Sequence, residues 1–192
     1  MAGLVRTVDP AIEPVTVQEA FDHLRVTDIE EETVVASLIT AARSHCEEWL
    51  GRALIDQTWA LRLDAFPFGT TGIRLPRPSL SSVTSVAYVD SAGDAQTWSS
   101  SEYQVVSTAF PGYIKPAYGY CYPTTQCDTD DTVTITYVSG YGAAAADVPA
   151  DIRHGILIFI TQLYESRCGA GMNVSTPAVC ASLWWPHRAV TI

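Results

Sequence analysis

The sequence predicts an α+β protein. Two N-terminal helices and one C-terminal helix form a helical body, a small antiparallel β sandwich or barrel is inserted into it, and an extended C-terminal tail follows. Three observations carry this expectation. Apolar residues recur at helical spacing between Thr16 and Gly51, alternate with polar ones in short runs between Ala53 and Gly140, and return to helical spacing after Pro149. The expected segments are 1–52 for the N-terminal helical part, 53–142 for the β module, 143–168 for the C-terminal helix and 169–192 for the tail. A chain of 192 residues, 47% hydrophobic, suits one ordinary domain or a small domain with a sizeable insert, and argues against disorder.

Thr16-Val-Gln-Glu19 reads as a capping box, opening a short helix to about Arg25. Thr27-Asp28 opens a longer one, with Glu30, Glu31 and Glu32 in a first turn where the helix dipole favours acids. Val34, Val35, Leu38, Ile39, Ala42, Cys46, Trp49 and Leu50 form its apolar stripe, and Gly51 stops it. In the β region, Trp59, Leu61 and Leu63 alternate with Ala60, Arg62 and Asp64. Ile73-Arg-Leu75, Val83–Val89, Tyr103–Val105 and Val133–Tyr137 read as further strands. Asp90-Ser-Ala-Gly-Asp94 reads as a hairpin turn, and Phe110–Pro123 as a long loop. Pro149 falls in the first turn of the last helix, whose face carries Ile152, Ile156, Phe159, Ile160 and Leu163. No helical or strand period is evident from Thr176 to Ile192.

Charge narrows the function classes. Only 17% of residues are charged, yet 21 acids face 11 bases for a net charge of −10, and Lys115 is the sole lysine. Such a chain does not clamp DNA through its phosphates. Scarce charge instead suits surfaces buried against partners, whose cores are depleted in Lys, Glu and Asp. The N-terminal residues lack the apolar run of a signal peptide, and Gly155–Ile160 is too short to span a membrane. The expectation is a soluble protein made in the cytoplasm, with no membrane partner.

No catalytic, cofactor or metal site is expected. Nucleophile-elbow, dinucleotide and phosphate-loop motifs are missing. Asp128-Thr-Asp130-Asp131 lacks the glycine and glutamate of a calcium loop, and the four histidines show no zinc spacing. Cys46, Cys121, Cys127, Cys168 and Cys180 form no C-x-x-C pair. A Cys121–Cys127 loop disulfide suits oxidising conditions, and free thiols suit a cytosolic product. Adjacent Trp184 and Trp185 are costly to leave in water: they either fold back on their own subunit or dock on another chain, with Arg188 as a polar anchor.

Read in order, several segments resemble the head-tail connector family (adaptor, or head-completion proteins) of tailed bacteriophages and gene transfer agents. They are Val17-Gln-Glu-Ala20, His23-Leu-Arg-Val26, Ala41-Ala-Arg43, Glu47-Glu48, Gly51-Arg-Ala-Leu-Ile55, Gln57-Thr-Trp59, Ile73-Arg-Leu-Pro-Arg-Pro78 and Ser82-Val83. Val133–Tyr141, Val148–Arg153, Leu163–Arg167 and Pro186-His-Arg188 continue the match. The cysteine-bearing loop from Tyr118 to Asp131 and the double tryptophan depart from the pattern.

The resemblance implies a structural virion protein at the head-tail interface, not an enzyme. It implies a self-assembled ring of about twelve copies under the portal protein. That ring would extend the channel for passing double-stranded DNA and offer a platform to the next tail-connecting or stopper protein. Leu183, Trp184, Trp185, His187 and Arg188 are then candidate portal-docking residues. Glu30, Glu31, Glu32, Glu47 and Glu48 are candidate channel-facing acids, since DNA should slide past and not stick. Two alternatives stand beside this reading: a tail-completion or stopper protein of the same particle, and a carbohydrate-binding β module whose Trp and Tyr side chains stack on sugars.

Overall fold

A computed structural model describes residues 3–127, 129–166 and 175–189. These divide into two compact units, one formed by 3–10 and 56–141, the other by 11–55 and 142–189. Among the described residues the architecture is α+β, with four helices and two antiparallel sheets, neither closed into a barrel. Among the described residues no helix is long and apolar enough to cross a membrane.

The β unit contains eight strands: β1 (Gly3–Val8), β2 (Gln57–Leu63), β3 (Ile73–Arg74), β4 (Leu80–Val89), β5 (Ala95–Thr97), β6 (Tyr103–Val106), β7 (Tyr113–Pro116) and β8 (Val133–Ser139). One sheet runs β1-β2-β8-β4-β5 and the other β3-β7-β6. The period of two in the sequence becomes burial directly in β8, where Val133, Ile135, Tyr137 and Ser139 turn inward. Both sheets contribute to one core cluster, including Trp59, Leu61, Val86, Ile135 and Tyr137 from the larger sheet and Ile73, Tyr103 and Ile114 from the smaller. The buried Tyr137 hydroxyl donates to the Pro76 carbonyl at 2.8 Å, so its polar tip is satisfied and the Pro76–Pro78 break is tied down. Burial pushes the Tyr137 phenol well above its ordinary value.

Two features of this unit differ from the sequence reading. Gly3–Val8, expected in the helical part, is an edge strand paired to β2; its last four residues are exposed, so it carries no burial pattern to read. The stretch expected as a continuous loop contains β7, whose alternation of half-buried and buried residues (Tyr113, Ile114, Lys115, Pro116) is too short to stand out. The Asp90–Asp94 turn does close a hairpin: Asp90 N–H donates to the Asp94 carbonyl at 3.0 Å, between β4 and β5.

The helical unit contains α1 (Val17–Leu24), α2 (Glu32–Leu50), α3 (Ala150–Ser166) and α4 (Ala178–Trp184). The capping box forms: Glu19 N–H donates to Thr16 Oγ1 at 3.1 Å, and Thr16 N–H to Glu19 Oε2 at 2.8 Å. The Thr16 N–H, with help from the Thr16 hydroxyl and Arg153, holds the Glu19 carboxyl below its ordinary range against partial desolvation. Arg153 joins α3 to this cap, reaching Glu19 Oε1 at 2.5 Å and the Pro14 carbonyl at 2.8 Å. A short 3-10 turn at Ile29–Glu31 precedes α2, and Gly51 ends α2 at a φ of 68°.

The buried face of α2 is rotated from the one expected. Val34 is exposed, while Arg43 and Glu47 are buried beside Val35, Ile39, Ala42, Cys46 and Leu50. Two charges survive in this core because they are paired. Arg43 Nε meets Glu13 Oε2 at 2.7 Å and Nη1 meets Glu47 Oε2 at 2.9 Å, while Glu47 Oε1 accepts the Leu54 N–H at 3.0 Å. Removing the guanidinium strands buried carboxylate charge, so Arg43→Met should lower unfolding free energy by about 3–5 kcal/mol. Adding Glu47→Gln, which removes the charge but keeps an acceptor for Leu54, should recover part of that loss in urea denaturation. A double variant no more stable than the single one would contradict the pairing account.

Candidate functional site

The C-terminal segment differs most from expectation, because residues 178–187 are not extended. Cys180 and Trp184, four residues apart, lie on the buried side of α4, and a 3-10 turn over Trp185–His187 follows it. Trp184 is wholly buried, with 0% of its surface exposed. Its indole N–H donates to the Ile152 carbonyl of α3 at 3.2 Å, and its ring lies 5.9 Å from Trp49 and 6.3 Å from Phe159. Gly155 makes room for the indole: a Cβ there would stand 2.3 Å from Trp184 Nε1. Cys180 seals the same seam, with its thiol directed at the Gly155 carbonyl at 3.3 Å.

Trp184 therefore folds back on its own subunit and leaves the set of candidate docking residues. Its neighbour does not. Trp185 is 64% exposed, its ring edge-on to Trp49 at 6.3 Å. The exposed Arg188 guanidinium lies 5.2 Å from the Trp49 ring and 5.7 Å from the Trp185 ring, an arrangement that holds a charge over two aromatic faces. Leu183 is half-buried. His187 Nε2 meets Asp151 Oδ2 at 2.6 Å and so fastens the segment to the start of α3. Partial burial alone would raise the Asp151 carboxyl; the hydrogen bond and charge of His187, with the Ile152 N–H, outweigh it and hold the group below its ordinary range. Ala189 N–H finally donates to the Leu50 carbonyl at 2.7 Å, beside the end of α2.

The five candidate acids separate in the same way. Glu30, Glu32 and Glu48 are exposed. Glu47, 5% exposed, is committed to Arg43 and Leu54 and cannot line a channel. Glu31 is half-buried and accepts the Tyr164 hydroxyl of α3, so it too serves the helical unit. The sequence reading missed Trp49 as the platform under Arg188 and Trp185, having assigned it to the apolar stripe of α2. The spacing Arg43–Glu47, four apart on one helix, was the available sign of the internal ion pair. Among the described residues no group of His, Cys, Asp and Glu is placed to hold a metal ion.

No protein-family model matches the sequence, and no curated protein does. Solved structures do. A chain in the neck of an empty gene transfer agent (GTA) particle, obtained with C6 symmetry, superposes with a TM-score of 0.81 at 25% identity, over 99% of this chain and 97% of that one. A chain of the native GTA virion gives 0.79 at 24% identity, over 98% and 96%. A chain in the native GTA neck, obtained with C12 symmetry, gives 0.77 at 24% identity, over 100% and 97%. The resemblance to head-tail proteins of phages and gene transfer agents, drawn from short collinear segments, thus extends to the fold of nearly the whole chain. These neighbours are structural parts of a particle's neck or virion, and they support a structural neck role.

The Trp184 seat yields a direct test. Gly155→Ala should push the indole out of its place, lowering unfolding free energy by about 2 kcal/mol and shifting tryptophan emission to the red. Unchanged melting and unchanged emission would show that α4 is not held this way.

Proposed function

We propose that this chain is a head-tail adaptor: a structural virion protein that assembles into a closed ring beneath the portal protein, extends the DNA channel and presents a platform to the next tail component. The observation that carries the reading is the whole-chain likeness to a neck protein of a gene transfer agent particle, at 25% identity and a TM-score of 0.81. The C6 and C12 symmetries of the neighbouring necks support a ring, and twelve copies fit both, since a twelvefold ring contains sixfold symmetry. A ring of this kind needs two different complementary faces on each subunit, and a chain only 17% charged has uncharged surface for them.

Within this reading, Trp185 and Arg188, supported by Trp49, form the portal-docking residues, and half-buried Leu183 borders them. Trp and Arg are the residue types that concentrate binding energy in interface centres. His187 positions the segment through Asp151 and leaves the contact itself to its neighbours. Glu30, Glu32 and Glu48 are the acids for the channel wall, where negative charge repels the phosphates and lets DNA slide. A subunit with a net charge of −10 and one lysine gives passing DNA few cations to hold it.

The test uses heads that carry portal protein but lack a neck. Purified chain added to them should give a ring of density at one vertex by electron microscopy, with Glu30, Glu32 and Glu48 toward its lumen. Trp185→Ala with Arg188→Ala should weaken attachment by at least tenfold while leaving the melting temperature of the free chain nearly unchanged, because both side chains are exposed. Removing residues 176–192 is a poorer test, since it also removes Cys180 and Trp184 from the core. Undiminished attachment of the double variant would refute the docking assignment, and carboxylates on the outer rim would refute the channel assignment.

A further inference from the structure

The described residues include four cysteines, all free, and they fall into two classes. Cys46 and Cys180 are buried, and Cys121 and Cys127 are exposed. Burial pushes the Cys46 thiol well above its ordinary range and the Cys180 thiol up to about 11, so neither is a nucleophile near neutral pH. Cys121 and Cys127 instead line one open pocket of the β unit, of about 430 Å³, together with Phe66, Pro67 and Phe68.

The chain between the two thiols is fixed next to each of them. Beside Cys121, the Tyr122 hydroxyl donates to the Thr71 carbonyl at 2.7 Å, and the Tyr122 ring stacks on Phe66 with centroids 5.1 Å apart. Beside Cys127, the Gln126 N–H donates to the Val89 carbonyl at 3.1 Å, and Thr125 bridges Asp90. Each cysteine therefore follows or precedes a residue anchored to the β core, and both line the same cavity. Ordering already supplied by these anchors lowers the entropy lost when the ends of so short a loop are joined.

We propose that Cys121 and Cys127 constitute a modification site, a dithiol that closes to an intrachain disulfide by exchange with a low-molecular-weight disulfide of the oxidised-glutathione class. One cysteine loses its proton, and its thiolate attacks a sulfur of oxidised glutathione. A protein–glutathione disulfide forms, and one glutathione thiolate leaves. The second cysteine loses its proton and attacks the protein sulfur of that mixed disulfide, expelling the second glutathione thiolate. The protein dithiol gives up two electrons and two protons, and one oxidised glutathione becomes two glutathione thiols. The new bond ties the Tyr122 anchor to the Gln126 anchor across the pocket. This site does not depend on the neck reading.

The experiment uses the full chain with Cys168, which lies outside the described residues, replaced by serine. The protein is incubated with oxidised glutathione, denatured, treated with a maleimide and weighed intact. The expected product carries two fewer maleimides than the untreated chain, no glutathione, and is lighter by about 2 Da before labelling. Cys127→Ser in the same background should instead retain one glutathione on Cys121, because the thiol that would expel it is gone. Glutathione persisting on both cysteines, a disulfide-linked dimer, or thiols left unmodified would each overturn the proposal.

Discussion

The helical unit is organised around one buried indole. Trp184 has a large apolar surface and a single N–H donor, so it needs both a cavity and an acceptor. Gly155 provides the cavity by lacking a Cβ, and the Ile152 carbonyl provides the acceptor. With that ring seated, the rest of the segment has little freedom. Cys180, one turn back, meets the Gly155 carbonyl; His187, just beyond, reaches Asp151; Ala189 closes on Leu50. Trp185 and Arg188 are left at the surface over Trp49. One side of the segment is thus a structural element of its own subunit, and the other is the surface that the proposed docking uses.

Charge is distributed under a related constraint. A chain with few basic groups uses two of its arginines, Arg43 and Arg153, to join elements of the helical unit, while Arg188 stays at the surface. Arg43 connects α2 to Glu13, Arg153 connects α3 to the start of α1, and Arg188 lies exposed over Trp49. Two acids that look available in sequence, Glu31 and Glu47, are consumed in the same way, as Glu19 is in its cap: all three accept internal hydrogen bonds. The net negative charge that remains for the surface is borne by other acids, Glu30, Glu32 and Glu48 among them. This restricts the channel proposal to three of its five original residues.

Much of this was legible from spacing, and the misses have physical causes. The Thr16–Glu19 box, the stop at Gly51 and the inward face of β8 follow from local rules that the structure obeys without modification. β1 escaped because an edge strand exposed on its outer residues has no amphipathic signature; only pairing with β2 defines it. The four-residue spacing of Arg43 and Glu47 signals an ion pair, but not that the pair is buried; burial depends on Glu13 and the packing around it, which is a tertiary fact. α4 escaped because its apolar face is only Cys180 and Trp184 long, and the two adjacent tryptophans drew both side chains into one role. Composition could say that large apolar rings must be covered, but not that one would be covered from within and the other left exposed.

The central claim is that the chain is a ring-forming structural protein of a particle's neck. It is tested most directly by electron cryomicroscopy of particles from the source that encodes it, reconstructed at the head-tail junction without imposed symmetry. The account predicts a closed ring of this fold at a single vertex, with about twelve subunits, directly against the portal. Density for this fold absent from the junction, present as isolated copies, or spread over the capsid surface would contradict it.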